Sequence, residues 1–139
     1  MEMNEIPAIV CLSHGPFGQA LADTAQVIYG KAEALHAIVL EEGMDIDDYM
    51  EKLEELIVRY SEKVFFLVDI QGGTPYNCLM RAARKHRLHA IAGANVPVLL
   101  ELLASRDVCP LERLADAVMA NAGGSVGNLK PRLEHFFGM

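Results

Sequence analysis

Short apolar runs of strand length alternate along this chain with longer segments of helical period, and no other feature limits its fold as much. The pattern belongs to a parallel sheet covered on both faces, because strands buried on two sides read as near-continuous apolar runs. Ile6 to Leu12, Leu35 to Leu40, Val64 to Val68 and His89 to Ala92 read as the strands, with the unbroken Val64-Phe65-Phe66-Leu67-Val68 at the centre. The fold expected is α/β: a doubly wound, mainly parallel sheet of order 2-1-3-4 with helices on both faces.

The helices follow from spacing and caps. Gln19 to Tyr29 is stopped by Gly30, and Asp45 caps Ile46 to Tyr60, whose apolar stripe is Ile46, Tyr49, Met50, Leu53, Leu56, Ile57 and Tyr60. Asp47, Glu51, Lys52, Glu55 and Arg59 are left for solvent. Thr74 is expected to cap a helix with Pro75 at its first position, running to about Lys85, with Arg81, Arg84 and Arg87 near its C-terminal end. Pro97 to Ser105 and Pro110 to about Ala122 complete the set, and Gly123-Gly124-Ser125 reads as a flexible break. Leu129, Leu133, Phe136 and Phe137 in the tail keep no clean period, which leaves an edge strand, a short helix or a segment docked on a second subunit.

With 139 residues and 52% hydrophobic content, the chain is read as one domain, 1–139, with a core over about 6–122 and a tail over 123–139. A net charge of -7 provides no basic stripe for phosphates, so nucleic acid is not expected as a partner. No apolar stretch approaches the roughly 20 residues that span a bilayer, and Met1-Glu2-Met3-Asn4-Glu5 is acidic where a signal peptide is basic, so a cytoplasmic location is expected. Cys11, Cys78 and Cys109 are odd in number and widely spaced, which supports neither a disulfide framework nor a zinc site.

Two strands end in titratable residues followed by glycine turns. Ser13-His14-Gly15 follows the first, and Asp69 with Gly72-Gly73-Thr74-Pro75 follows the third. In order 2-1-3-4 these ends face each other across the crevice where open α/β sheets hold ligands. The carboxylate of Asp69 can then accept a hydrogen bond from one ring nitrogen of His14, fix the tautomer, and leave the other nitrogen as a nucleophile. Gly15, Gly18, Gly72 and Gly73 allow close backbone approach, the amides opening the Thr74-Pro75 helix offer an anion site, and the hydroxyls of Ser13 and Thr74 could donate to the same anion. His36, His86, His89 and His135 lie within strands, at a helix end or in the tail, where packing or surface roles suffice. Neither a P-loop nor a GxSxG elbow is present.

Ser13-His14-Gly15, then Phe66-Leu67-Val68-Asp69 with Gly72-Gly73-Thr74-Pro75-Tyr76-Asn77, then Ala92-Gly93-Ala94-Asn95-Val96-Pro97, resemble the IIA domain of the mannose class of the bacterial sugar phosphotransferase system (PTS). The resemblance runs from Ala8 to about Ala122. It implies that His14 accepts a phosphoryl group from the phosphocarrier HPr and passes it to a IIB protein, that Asp69 hydrogen-bonds the histidine, and that Thr74 is the hydroxyl residue of the glycine loop. It also implies a homodimer in which a C-terminal strand can be exchanged, although this tail departs from the family pattern. Tyr76 stands where the family often has Phe.

No IIB domain follows, so a separate IIB chain is expected, and the membrane is reached only indirectly, through IIC and IID components that recognise the sugar. Transfer between histidines by positioning and electrostatics calls for no metal and no cofactor. Other readings are a regulatory phosphohistidine module, the phosphocarrier subunit of a dihydroxyacetone kinase, and a flavodoxin-like binder, which lacks aromatics placed to sandwich a flavin.

Overall fold

A computed structural model describes residues 6–138; the acidic start at Met1 to Glu5 and the last residue of the tail lie outside the described residues. Four strands, β1 (Ala8–His14), β2 (Leu35–Leu40), β3 (Val64–Val68) and β4 (His89–Ala92), form one parallel sheet in the order β2-β1-β3-β4. Six α-helices are described: α1 (Phe17–Tyr29), α2 (Ile46–Arg59), α3 (Thr74–Ala82), α4 (Val96–Ser105), α5 (Leu111–Ala122) and α6 (Lys130–Phe136). The fold class and strand order are those the sequence predicts.

Alternating side chains of the two central strands feed two cores. Val10, Leu12, Phe66 and Val68 pack with Tyr49, Leu53 and Ile57 of α2 and with Leu79 and Ala82 of α3. On the other face Ile9, Cys11, Phe65 and Leu67 pack with Leu21 and Ala25 of α1, Leu99, Leu102 and Leu103 of α4, and Leu114 and Val118 of α5. Every β3 residue is buried, as its unbroken apolar run predicts for a strand covered twice. The buried Arg106 guanidinium straps the end of α4 to the sheet's N-terminal side, donating to the carbonyls of Pro7, Glu33 and Ala34.

Several boundaries differ from expectation. Ile46 belongs to the expected apolar stripe of α2 but is 46% exposed, because it is the first helical residue and borders an open cleft at the carboxyl ends of the strands. The cap of α3 is Gly73, not Thr74: at φ 92° and ψ 173°, Gly73 adopts a conformation open to glycine, and Thr74 and Pro75 become the first helical residues. The helix stops at Ala82 rather than Lys85, where Arg84 and Lys85 donate to the carbonyls of Arg81 and Ala82 in three-residue turns. Like charges at Arg81, Arg84 and Lys85 oppose a further regular turn.

Gly123–Ser125 is a turn of 3-10 helix rather than a break, held by the Ser125 hydroxyl, which donates to the Ala122 carbonyl at 2.6 Å. The tail forms α6, and no fifth strand exists among the described residues. Pro131 explains that choice, since proline suits a first helical turn and cannot donate to a strand ladder.

Candidate functional site

The register of the two central strands builds the site. Leu12 pairs with Val68, and the ladder continues one step as the Asp69 N–H donates to the Leu12 carbonyl at 2.9 Å. His14, the last residue of β1, therefore stands beside Asp69 at the carboxyl edge of the sheet. The chain then turns away at Gly15, whose φ of 57° suits glycine and whose N–H donates to the Leu40 carbonyl of β2 at 2.8 Å. His14 is thus held by both neighbouring strands.

One carboxylate grips the histidine twice. Asp69 Oδ2 accepts from the His14 backbone N–H at 2.8 Å and lies 2.9 Å from the ring Nδ1, while Oδ1 accepts from the Ile70 N–H at 2.8 Å. An ionised carboxylate only accepts, so the proton of the neutral ring sits on Nδ1 and the lone pair on Nε2. The Asp69 side chain is 10% exposed and that of His14 is 48% exposed, so the carboxylate is fixed in the wall while the imidazole it holds remains accessible.

Gly73 completes the placement. A Cβ at this position would come within 3.0 Å of His14 Cε1 and 3.2 Å of Nε2. The free nitrogen therefore lies directly against the start of α3. Asn77 is the first residue there to donate back, to the Gly73 carbonyl at 2.9 Å, so the amides of Thr74 and Tyr76 have no partner within the helix and Pro75 has none to satisfy. Such an end favours an anion attached to Nε2.

The structure brings His14, Asp69, Gly15, Gly73 and Thr74 together, with His14, Gly15 and Thr74 lining one cleft of about 470 Å³. Gly72, at φ 86°, shapes the loop ahead of them. Ser13 points the other way. Its buried hydroxyl accepts from the Gly18 N–H at 2.8 Å and donates to the Gly15 carbonyl at 3.2 Å, bracing the turn between β1 and α1. Gly18 is required by that contact, since a Cβ there would approach Ser13 Oγ to 2.8 Å. The far wall of the cleft, Leu40 to Met44 and Ile46, was not singled out from the sequence; the glycine turn at Gly43 after a strand was its signal.

The other histidines are occupied elsewhere. His36 Nε2 meets the Tyr60 hydroxyl at 2.7 Å, and burial followed by the Arg59 charge pushes its pKa down. His86 has carboxylates at both nitrogens, His89 lies in β4, and His135 stacks edge-on against Phe136. Burial pushes the Cys11 thiol up to about 12, and also raises Cys78, so both are inert thiols in the core. Among the described residues no group of His, Cys, Asp or Glu could hold a metal ion, and no helix is long and apolar enough to cross a membrane.

Comparison with known proteins agrees with this fold. Residues 8–119 match the family described as PTS system fructose IIA component. The PTS fructose-specific EIIA component of Bacillus subtilis is 34% identical over 116 residues, covering 81% of this chain and 80% of its own. The mannose-specific EIIAB component of Escherichia coli is 34% identical over 106 residues, which span 74% of this chain and 33% of that larger protein. Among solved structures, the EIIA component of Streptococcus agalactiae superposes with a TM-score of 0.83 at 23% identity, covering 89% of this chain and 98% of that one. The mannose/sorbose-specific IIA subunit of Enterococcus faecalis gives 0.77 at 21%, covering 88% and 94%.

Proposed function

This chain belongs to the family of PTS fructose IIA components of the mannose class, and we propose that it acts as a phosphohistidine carrier with His14 as the acceptor, Asp69 as its partner and HPr and a IIB protein as donor and recipient. The observation that carries the reading is the state of the His14 ring: Nδ1 is committed to Asp69 Oδ2 at 2.9 Å, and Nε2 is free against the start of α3.

In the forward step, Nε2 attacks phosphorus in line, the N–P bond of the donor's phosphohistidine breaks, and the donor ring, protonated on its other nitrogen, keeps that electron pair and leaves as neutral imidazole. The Nδ1 proton stays in place, so the ring gains imidazolium character that the Asp69 carboxylate stabilises. Thr74 and the first amides of α3 face the phosphoryl oxygens, with Gly15, Gly72 and Gly73 permitting the approach. Delivery to the recipient histidine is the same step reversed. Ser13 supports this by holding the turn, because its hydroxyl is already engaged on both sides.

Incubation with phosphoenolpyruvate, Enzyme I and HPr tests the proposal. One acid-labile phosphate mapped to His14 by mass spectrometry is expected, and phosphate on His86 or His89 instead would overturn it.

A homodimer is part of the same proposal. Leu129, Leu133, Phe136 and Phe137 are between 51% and 89% exposed, and Leu129, Leu133 and Phe137 line a groove of about 770 Å³. Covering them on a second copy would contribute about 1.5–3 kcal/mol per side chain before ordering costs. Light scattering should find a dimer for the full chain and a folded monomer after deletion beyond Gly124; a full-length monomer at micromolar concentration refutes the pairing.

A further inference from the structure

Positive charge gathers at the end of the sheet opposite His14. Arg81 lies in the last turn of α3, Arg84, Lys85 and Arg87 follow in the turn to β4, and the register that sets Phe65 against His89 places Lys63 beside Arg87. All five are exposed, and among the described residues none forms a salt bridge. Residues 74–100 hold no Asp or Glu. The two carboxylates bonded into this turn, Glu54 and Glu62, are both engaged by His86, at 2.8 and 2.9 Å, and so are committed to a clamp. Acid elsewhere at this end, at Glu33, Asp107 and Glu112, belongs to the segments around α1, α4 and α5, which cover the other face of the sheet.

The form of this end says what it can bind. None of the five cations lines the clefts at His14, at the tail or along β2, and residues 77–92 contain no Phe, Tyr or Trp. A protein partner anchors on aromatic side chains and pockets, and a single-stranded nucleic acid stacks on aromatic side chains. Neither is offered. What accompanies the cations is isolated apolar surface: Met80, four residues ahead of Arg84, is 45% exposed, and Val58, in the last turn of α2, is 66% exposed. Long cationic stems beside scattered apolar side chains suit a diffuse anionic surface of lipid headgroups.

We propose that the turn between α3 and β4, with Lys63 beside it, docks this chain directly on an anionic lipid surface and leaves the His14 edge facing away from it. The two ends are separated by the length of the strands, and the five residues of β3 alone set them about 16 Å apart. That is twice the screening length of roughly 8 Å at physiological ionic strength, so the acids at the His14 edge weaken the attraction little, despite a net charge of -7. The docking needs no property of His14. It would hold the chain at a membrane with its reactive edge toward solvent.

Flotation of the full chain with vesicles tests this, comparing phosphatidylcholine alone with phosphatidylcholine carrying about one third phosphatidylglycerol. Binding is expected on the anionic vesicles only, at about 50 mM salt, and should vanish by about 0.5 M salt. The triple variant Arg84→Gln, Lys85→Gln, Arg87→Gln, at about fivefold per cation, should lower partition about a hundredfold with an unchanged circular dichroism spectrum. Lys63→Gln, in a separate loop, should by itself cost about fivefold. Equal binding to neutral vesicles, no binding at low salt, or binding that survives both variants would overturn the docking. Tighter binding to polyglutamate or to single-stranded RNA than to the anionic vesicles would overturn it too, by giving this end to an acidic protein or a nucleic acid. Diethyl pyrocarbonate should modify His14 as fast on the anionic vesicles as in solution, whether or not the ring carries phosphate in its working cycle; protection of His14 on the vesicles would overturn the orientation.

Discussion

His14 and His86 are both held by carboxylates, yet they are opposite devices. His14 meets one carboxylate, keeps one nitrogen free and is 48% exposed at the carboxyl edge of the sheet. His86 meets Glu62 through Nδ1 at 2.9 Å and Glu54 through Nε2 at 2.8 Å, and is 16% exposed at the other end. A ring with both nitrogens occupied has no lone pair to offer, so it can tie helices together but cannot attack. Whether a ring nitrogen is left available here is set by how many partners a histidine has, not by whether it has an acidic one.

The sharpest way to break the contrast is to remove the free ring. His14→Ala should take no phosphate from HPr, a complete loss in a labelling assay, while His86→Gln should label at the wild-type level. Asp69→Asn comes next. The amide can still accept from the backbone N–H of His14, but it cannot stabilise the charge that develops on the ring, so transfer in stopped-flow assays should slow by roughly one to three orders of magnitude. Unchanged kinetics would reduce Asp69 to a structural contact.

Gly73→Ala tests placement rather than charge. The new Cβ would meet His14 Cε1 at 3.0 Å, and a φ of 92° is itself unfavourable for alanine. A misplacement of about 1 Å costs roughly a hundredfold in rate, so this smaller displacement of the ring should slow transfer by up to that amount. The fold should survive, since the change lies on the surface, and a loss of helix signal in circular dichroism would show that the effect was not local.

How far the site was legible follows from the range of each signal. The sheet order and the facing of His14 and Asp69 came from strand ends, because an apolar run stopping at a polar residue and a glycine turn is written in consecutive residues. The role of Ser13 was not legible as a brace. Residue type allowed its hydroxyl to meet an anion, whereas alternation along β1 points it away from His14 and toward Gly18. The His86 clamp depends on Glu54 and Glu62, which lie 32 and 24 residues away in sequence, so no local pattern could reveal it. The tail failed differently: among the described residues its apolar side chains stay exposed on a short helix, and without a buried face there was no period to read.

The smallest expected effect concerns the clamp itself. Hydrogen bonds from Glu62 and then Glu54 raise the His86 pKa above its ordinary value of 6.5, with burial opposing them. The folded chain therefore binds this proton more tightly than the unfolded chain does. The resulting stabilisation is complete below the unfolded value and is lost as pH rises through the higher folded one. Both carboxylates are partly exposed, so the contribution should stay within about 1 kcal/mol per pair, or about 3 °C in Tm for a chain of this size. His86→Gln should lower Tm most at pH values below 6.5 and converge on the wild type as pH rises through the higher folded value. His36 carries the opposite sign, because its lowered pKa withdraws stability as pH falls, so His36→Gln should differ from the wild type in its acid dependence instead. A gap for His86→Gln that widens with pH would mean that the neutral ring, not the imidazolium, is what Glu54 and Glu62 hold.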